Sequence, residues 1–438
     1  MDFSSTTFLV FDHHGLFVCL ARRLAETGAK VFYQTPPDRQ DKINEALIGY
    51  GMDKSEHGPI QWCEDFWLIK DKIDCYIFPD VRHLGEQLEL RQQGYPVWGA
   101  GWGMDLELDR LFFLEKLKEF GLSVPPHEVV VGIPALREFL KDKENIYIKT
   151  STWRGSWESF HWRNLAQDEH RLDVWSVRFG GIRKTYPFIC FYEILTKLEI
   201  GGDTYCVDGQ WPSFMLHGLE KKDKAYFSAV TARKDMPQEL QQIMEAFSPF
   251  LKKVQYRQQW SMEDRVTEDT HFFNDCTARG GLPSTGSQIL AMDNLPEVIF
   301  RGAQGELVEP KYNCKFTAEC MVTINGEQGA WDTIVLSDEL KPHLMLADYC
   351  EVDGQPWFPS DEGAVEEIGW LVATGDTPTE CAKQINALAD LLPDGADAAV
   401  EGLADIIREV QAEEEKGIHF TEMPMPEPEV VLEESGRV

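Results

Sequence analysis

The first hundred residues constrain the fold most, because short apolar runs there alternate with helical spacing. Thr7-Phe-Leu-Val-Phe11 is an apolar run of strand length, and Asp12-His-His-Gly15 has the composition of a turn. Leu16, Cys19, Leu20 and Leu24 then recur at helical intervals until Gly28. Lys30–Gln34, Asp74–Phe78 and Pro96–Trp98 are further strand-like runs, with a helix around Leu84–Gln93 before the last. This alternation predicts a small open parallel sheet that ends near residue 104. No GxGxxG lies between Phe11 and Leu20, which excludes a dinucleotide-binding turn.

After residue 104 the texture changes twice. A helix is expected from about Leu106 to Phe120, closed by Gly121-Leu-Ser-Val-Pro-Pro126. Strands follow at Glu128–Val131, Asn145–Lys149, Phe188–Tyr192, Thr204–Val207, Gln255–Trp260 and His271–Phe273, with a helix at Ile133–Lys141. From about residue 314, Thr317–Ile324 alternates like an antiparallel strand, and Gly369–Ala373 is a second strand. A helix over Thr377–Leu391 opens on the capping signal Thr377-Pro-Thr-Glu380, and another covers Ala398–Ala412. The expected division is an α/β domain over 1–104, a mixed domain over 105–300, a small α+β domain over 301–420, and an acidic Pro-rich tail over 421–438.

Charge and cysteine usage narrow the function classes. The formal net charge is -32, which disfavours nucleic acid and anionic membrane surfaces, since both need clustered Lys and Arg. No apolar run reaches the length of a membrane span. None of the ten cysteines forms a CxxC and several lie in apolar runs, so reduced, buried thiols in a cytoplasmic protein are expected. No Cys/His cluster has zinc spacing.

Three segments carry chemistry. Lys149 ends an apolar strand and is followed by Thr150-Ser-Thr-Trp-Arg-Gly-Ser156, which can offer a point charge, hydroxyls and backbone N–H groups to phosphate oxygens. A lysine after a strand is common, so alone it says little. In Tyr192-Glu193-Ile-Leu-Thr-Lys-Leu-Glu199, two acids flank a short hinge that could hold a nucleoside. The third segment is the most informative. Glu263 ends one strand and Asp275 ends the next, twelve residues later, with a turn at Glu268-Asp269 between them. That hairpin sets two carboxylates side by side, an arrangement that suits Mg²⁺ bound through one or two acids and phosphate oxygens. Arg279, just beyond, can face a phosphoryl group or an oxyanion. His13, His14 and His161 are read as loop or packing residues, and Trp153, Trp157 and Trp162 as core or cleft walls.

In this order the segments resemble the ATP-grasp superfamily, and within it glycinamide ribonucleotide synthetase (phosphoribosylamine–glycine ligase). The resemblance is diffuse, spans nearly the whole chain, and fits a divergent form of the kind found among bacteriophage proteins. It implies an ATP-grasp fold with a small N-terminal parallel α/β domain and a small C-terminal α+β domain. Asp109-Arg110-Leu-Phe-Phe-Leu-Glu-Lys-Leu117 is similar to the family's leading helix, with Arg110 where a nucleotide-facing lysine stands. Lys149 matches the phosphate lysine, Tyr192-Glu193 the adenine strand, and Glu263 and Asp275 the metal acids. Implied cofactors are ATP and Mg²⁺. The implied nucleotide residues are Arg110, Lys149, Glu193 and Glu199, and the catalytic ones Lys149 and Arg279. The implied activity joins a small-molecule carboxylate to an amine through an acyl phosphate. The departures matter too. The family's Glu-x-Asn-x-Arg is here Asp275-Cys-Thr277-Ala-Arg279, and its acidic segment after the arginine is Gly280-Gly-Leu-Pro-Ser-Thr-Gly-Ser287. An acceptor other than phosphoribosylamine is therefore expected. Two alternatives stay open: a catalytically degenerate nucleotide-binding or interaction module, which Thr277 and the lost acidic segment favour, and an ATP-grasp small-molecule kinase.

Overall fold

The computed structural model describes residues 1–36, 47–54, 59–152, 158–196, 198–326, 330–359 and 365–415. Trp153, Trp157, the Arg154-Gly155-Ser156 part of the loop after Lys149, and the 421–438 tail lie outside the described residues.

The first sheet has five parallel strands: β1 (Thr7–Phe11), β2 (Lys30–Gln34), β3 (Gln61–Trp62), β4 (Cys75–Ile77) and β5 (Val97–Trp98), in the order β3-β2-β1-β4-β5. The chain runs outward on one side of β1 and then on the other, so the order reverses between β1 and β4. The turn after β1 is organised by buried Asp12. Its carboxylate accepts the backbone N–H of His14 (3.1 Å), Gly15 (3.1 Å) and Phe17 (2.6 Å) and the Tyr33 hydroxyl (2.7 Å). His13 Nδ1 lies 3.0 Å from His83 Nε2, and His14 Nε2 lies 3.4 Å from Asp80 Oδ2.

The helix expected over 106–120 is two helices, Asp105–Leu108 and Arg110–Glu119. Asp109 separates them in extended conformation, and its carboxylate caps the second by accepting the N–H of Leu111 (3.0 Å) and Phe112 (3.1 Å). A four-stranded antiparallel sheet follows: β6 (His127–Val131), β7 (Ile146–Thr150), β8 (Ser159–Trp162) and β9 (Pro187–Tyr192), ordered β6-β9-β7-β8. Helices Ile133–Leu140 and Leu165–Phe179 cover one face, where Leu136, Leu140, Leu172 and Trp175 pack on Ile146, Ile148 and Phe188. Trp162 belongs to this core, and its indole N–H donates to the Lys143 carbonyl at 3.0 Å. His161 stacks on Tyr147, ring centroids 4.4 Å apart.

The largest sheet has nine strands. β10 (Leu198–Val207), β11 (Phe214–Lys221), β12 (Ala225–Ala232), β13 (Arg257–Val266), β14 (His271–Thr277) and β15 (Phe316–Asn325) come first in sequence. After them, β16 (Trp331–Thr333), β18 (Cys350–Val352) and β19 (Gln355–Pro359) form a small separate sheet. β17 (Leu344–Leu346), β20 (Val365–Gly375) and β21 (Ala396–Ala398) join the large one. Its order is β14-β13-β10-β11-β12-β15-β20-β17, with β21 on β15. Hydrogen bonding therefore runs unbroken across residue 300, through β12 and β15. Strands β10, β13 and β14 are longer than their apolar runs suggest. Their outer halves carry Glu199, Asp264 and Arg265, yet β10 pairs with β13 over ten residues. Helix Pro378–Ala389 begins with the capping box of Thr377 and Glu380. One apolar core joins the first sheet, helix Val18–Ala25 and the β15–β20 region. A second lies between helices Arg110–Glu119 and Gln238–Lys253 and strands β13 and β14.

Candidate active site

The site lies where the four-stranded and nine-stranded sheets face each other. β13 and β14 pair so that Glu263 stands directly opposite Asp275, with an irregularity just after Glu263. On its other side Glu263 is opposite Gly201 of β10, and Gly201 is opposite Gly218 of β11. One row across the sheet thus reads Asp275, Glu263, Gly201, Gly218. A neighbouring row reads Thr277, Ser261, Asp203. The two glycines leave bare backbone beside the acids. A Cβ on Gly201 would stand 2.7 Å from the Gly218 carbonyl oxygen, and one on Gly218 would stand 2.4 Å from the Tyr226 hydroxyl. This floor belongs to a cavity of about 110 Å³ lined by Glu199, Asp203, Glu263, Asp275, Thr277 and Arg279 among others.

Lys149 reaches this row from the opposite sheet. It is half-buried on β7, and its Nζ donates to Asp275 Oδ2 at 3.1 Å. Arg110, at the start of its helix, stands behind: its guanidinium pairs with Glu158 and donates to the Thr150 carbonyl at 3.3 Å. Glu263 accepts from Asn274 Nδ2 at 3.0 Å and lies 3.7 Å from Arg265. Arg265 also donates to Glu199 at 3.2 Å. Arg279 is held from behind by Glu107 (2.9 Å) and Asp80 (3.5 Å), and Glu107 also accepts the Ala278 N–H at 2.9 Å.

The two central carboxyls respond differently to this setting. Both are packed by protein on one side and open to the cleft on the other, with 39% of the Glu263 side chain and 49% of the Asp275 side chain exposed. Burial, with Glu199 and Asp275 as like charges, pushes the Glu263 carboxyl up to about 7. Burial works the same way on Asp275, but Lys149, Arg110 and Arg265 outweigh it and hold its carboxyl below the ordinary range. Burial raises Asp203 too, although the Tyr226 hydroxyl donates to it at 2.6 Å. At Asp80 burial is outweighed by Arg279 and His14, and its carboxyl is held low.

Of the residues singled out from sequence, Lys149, Glu263, Asp275 and Arg110 are brought together, and Glu199 and Arg279 line the same cavity. Glu193 is exposed just after β9. Asp203, Asn274, Glu107 and Asp80 were not singled out. Asp203 was legible in principle, because Gly201-Gly202 inside a strand marks a close backbone approach. Glu107 and Asp80 were not, since they meet Arg279 only through the tertiary fold.

The donor set fits a divalent cation. Glu263 and Asp275 are adjacent oxygen donors, and the like charge that raises Glu263 is what a cation between them would relieve. Among the described residues no group of three or more His, Cys, Asp or Glu is arranged to hold an ion. Mg²⁺ binding completed by phosphate oxygens and water needs only one or two carboxylates.

No family model matches the sequence, and no curated protein matches it. Solved structures do match in fold. Phosphoribosylamine–glycine ligase from Thermotoga maritima is 15% identical, with 90% of this chain and 99% of that one covered and a TM-score of 0.66. A biotin carboxylase from Campylobacter jejuni, solved as a β,γ-ATP complex, is 12% identical, with 95% and 97% covered and a TM-score of 0.61. N5-carboxyaminoimidazole ribonucleotide synthetase from Thermus thermophilus is 13% identical, with 88% and 99% covered and a TM-score of 0.57. These are ATP-grasp proteins. The fold, a mixed architecture with one parallel sheet and antiparallel sheets, is shared along nearly the whole length, and this chain has the ATP-grasp fold.

Proposed function

We propose that the protein is an ATP-dependent ligase that joins a small-molecule carboxylate to an amine and releases ADP and phosphate. The observation that carries this reading is the Lys149–Asp275 contact across the cleft, with Glu263 beside Asp275 and Arg279 farther along the same cavity. The fold shared with ATP-grasp ligases supports the general kind of reaction.

In this reading ATP lies between the two sheets, with its phosphates toward Lys149 and Arg110. Glu263 and Asp275 would hold Mg²⁺, which when bound supplies positive charge to the phosphate oxygens. Lys149 leaves Asp275 in part to meet the γ-phosphate. A substrate carboxylate oxygen attacks the γ-phosphorus, the bond to the bridging oxygen breaks, and ADP leaves. The amine then attacks the acyl carbon of the acyl phosphate. Phosphate departs, and the amine loses a proton. Arg279, fixed by Glu107 and Asp80, faces the charge that develops on the oxygen. Positioning and electrostatics supply the rate, and no protein nucleophile is required.

The acceptor proposed here is not phosphoribosylamine, since Gly281, Leu282 and Pro283 line the cavity where the resemblance implies an acidic segment. Thr277 in the same cavity favours one alternative, a module that binds nucleotide without ligation. ADP release screened across carboxylates and amines separates the two. The ligase reading expects release that needs both substrates and is lost in Glu263→Ala and Asp275→Ala. Substrate-dependent release that survives both changes would contradict the site.

A further inference from the structure

A second, larger cavity of about 670 Å³ lies on the far side of the turn that follows Arg279. Helix Val18–Ala25 contributes Cys19, helix Thr285–Ala291 contributes Ile289 and Leu290, and β17 contributes Leu344 and Met345. This volume falls in the range of small-molecule sites. A small void of about 10 Å³, enough for one water, adjoins it, and Cys19 and Met345 line both spaces.

Glu319 borders the small void. Its side chain is fully buried. One oxygen, Oε1, accepts the backbone N–H of Ser284 at 3.1 Å and of Ser287 at 2.6 Å. The other, Oε2, is buried with no hydrogen-bond partner among the described residues. Gly286 keeps the approach to it open, because a Cβ there would stand 2.9 Å from Oε2. A buried carboxylate oxygen without a donor is costly, and a cationic donor is the group that best removes that cost. Burial pushes this carboxyl up to about 7, so the charged form is accessible slightly above neutrality.

Of the cations around the larger cavity, Lys54 is exposed, Arg23 Nε is buried without a partner among the described residues, and the others are paired. Arg22 pairs with Tyr349 and Glu351, Arg23 Nη1 with Glu26, and Lys341 with Asp338. Among the described acids that line the two spaces, Glu319 is the one with a buried oxygen left without a partner. We propose that this cavity is a second ligand site that takes a small apolar primary amine, with its body against Ile289, Leu290 and Met345 and its ammonium at Glu319 Oε2. An ammonium head is about the size of the water that the small void accommodates. The turn that donates to Glu319 also lines the candidate active site through Gly281, Leu282 and Pro283, and Leu282 borders the small void as well. The two sites thus share one structural element.

The test is calorimetry on the full chain without nucleotide, at about pH 8, above the range of the Glu319 carboxyl. Phenethylamine is the probe and phenylpropionate its comparator. The expected result is saturable binding of phenethylamine with one site per chain and much weaker binding of phenylpropionate. Glu319→Gln should weaken the amine about tenfold or more, Met345→Trp should fill the place where the two spaces adjoin and abolish binding, and Lys149→Ala should leave it unchanged. Thermal melts establish that each variant is folded, and Met345→Trp keeps the test decisive if Glu319→Gln does not fold. No binding of phenethylamine, equal binding of phenylpropionate, or binding that is unchanged in the folded variants would overturn the proposal. Because nucleotide is absent and Lys149→Ala is the control, this outcome is independent of the ligase reading.

Discussion

Lys149 and Asp275 belong to different sheets, 126 residues apart in sequence, and meet at 3.1 Å across the cleft. The contact is exposed, so its worth to stability is small, roughly 0–1 kcal/mol. Its value in the proposed function lies in the phosphates that would come between the two. Lys149→Ala should therefore leave the unfolding midpoint nearly unchanged while lowering substrate-dependent ADP release about 10²-fold or more. Equal losses in stability and activity would point to a structural role only.

Glu107 is the main restraint on Arg279. Removing it leaves a largely buried guanidinium with Asp80 at 3.5 Å and the Gly280 carbonyl at 3.4 Å. Glu107→Ala should cost roughly 3–5 kcal/mol in urea unfolding, and Glu107→Gln, which keeps an acceptor, should cost less. Both should reduce ligation more than nucleotide binding, which calorimetry and ADP release measure separately.

The bare floor formed by Gly201 and Gly218 gives a steric prediction. In Gly218→Ala the new methyl meets the Tyr226 hydroxyl, which is itself hydrogen-bonded to Asp203. Overpacking of about 1–3 kcal/mol is expected by chemical denaturation, together with a raised KM for the substrate that lies on this floor. A variant as stable and active as the parent would show that the floor tolerates a side chain.

Asp168 supplies a pH dependence far from the site. It is buried and accepts from Arg163 through the backbone N–H (2.9 Å), Nε (3.0 Å) and Nη2 (2.6 Å), and these bonds bring its carboxyl down to about 2. A lowered folded-state value means that the stabilisation is complete above the ordinary Asp range and is lost as pH falls toward about 2. Arg163 is half-exposed, so roughly 1–2 kcal/mol is at stake. Unfolding followed from about pH 5 to pH 2 should show this loss in the parent and a flatter profile in Asp168→Asn.

Much of the fold was legible because its signals are local. Apolar runs at β1, β2 and β4 and helical spacing at Val18–Ala25 suffice for a parallel sheet, and the Thr377–Glu380 capping box marks the start of its helix within a residue. The helix break at Asp109 was missed because the apolar spacing runs through it, while the cap depends on the backbone on either side. That Glu263 and Asp275 lie close together was legible from one hairpin, but their direct opposition was not: the register beside the turn, with Phe273 opposite Asp264, leads to Asn274 opposite Glu263, and the irregularity after Glu263 shifts the partner to Asp275. The partners of Arg279 and the unpartnered oxygen of Glu319 were not, because they depend on how separate sheets and helices pack. The continuity of the large sheet across residue 300 was hidden for the same reason: β12 and β15 are more than eighty residues apart in sequence.

Calorimetric titration of ATP into the intact protein, with and without Mg²⁺, tests the central claim most directly. The account predicts Mg²⁺-dependent binding that weakens about tenfold or more in Lys149→Ala and again in Asp275→Asn, with both variants folded. ATP that does not bind, or that binds with the same affinity in the parent and both variants, would contradict it.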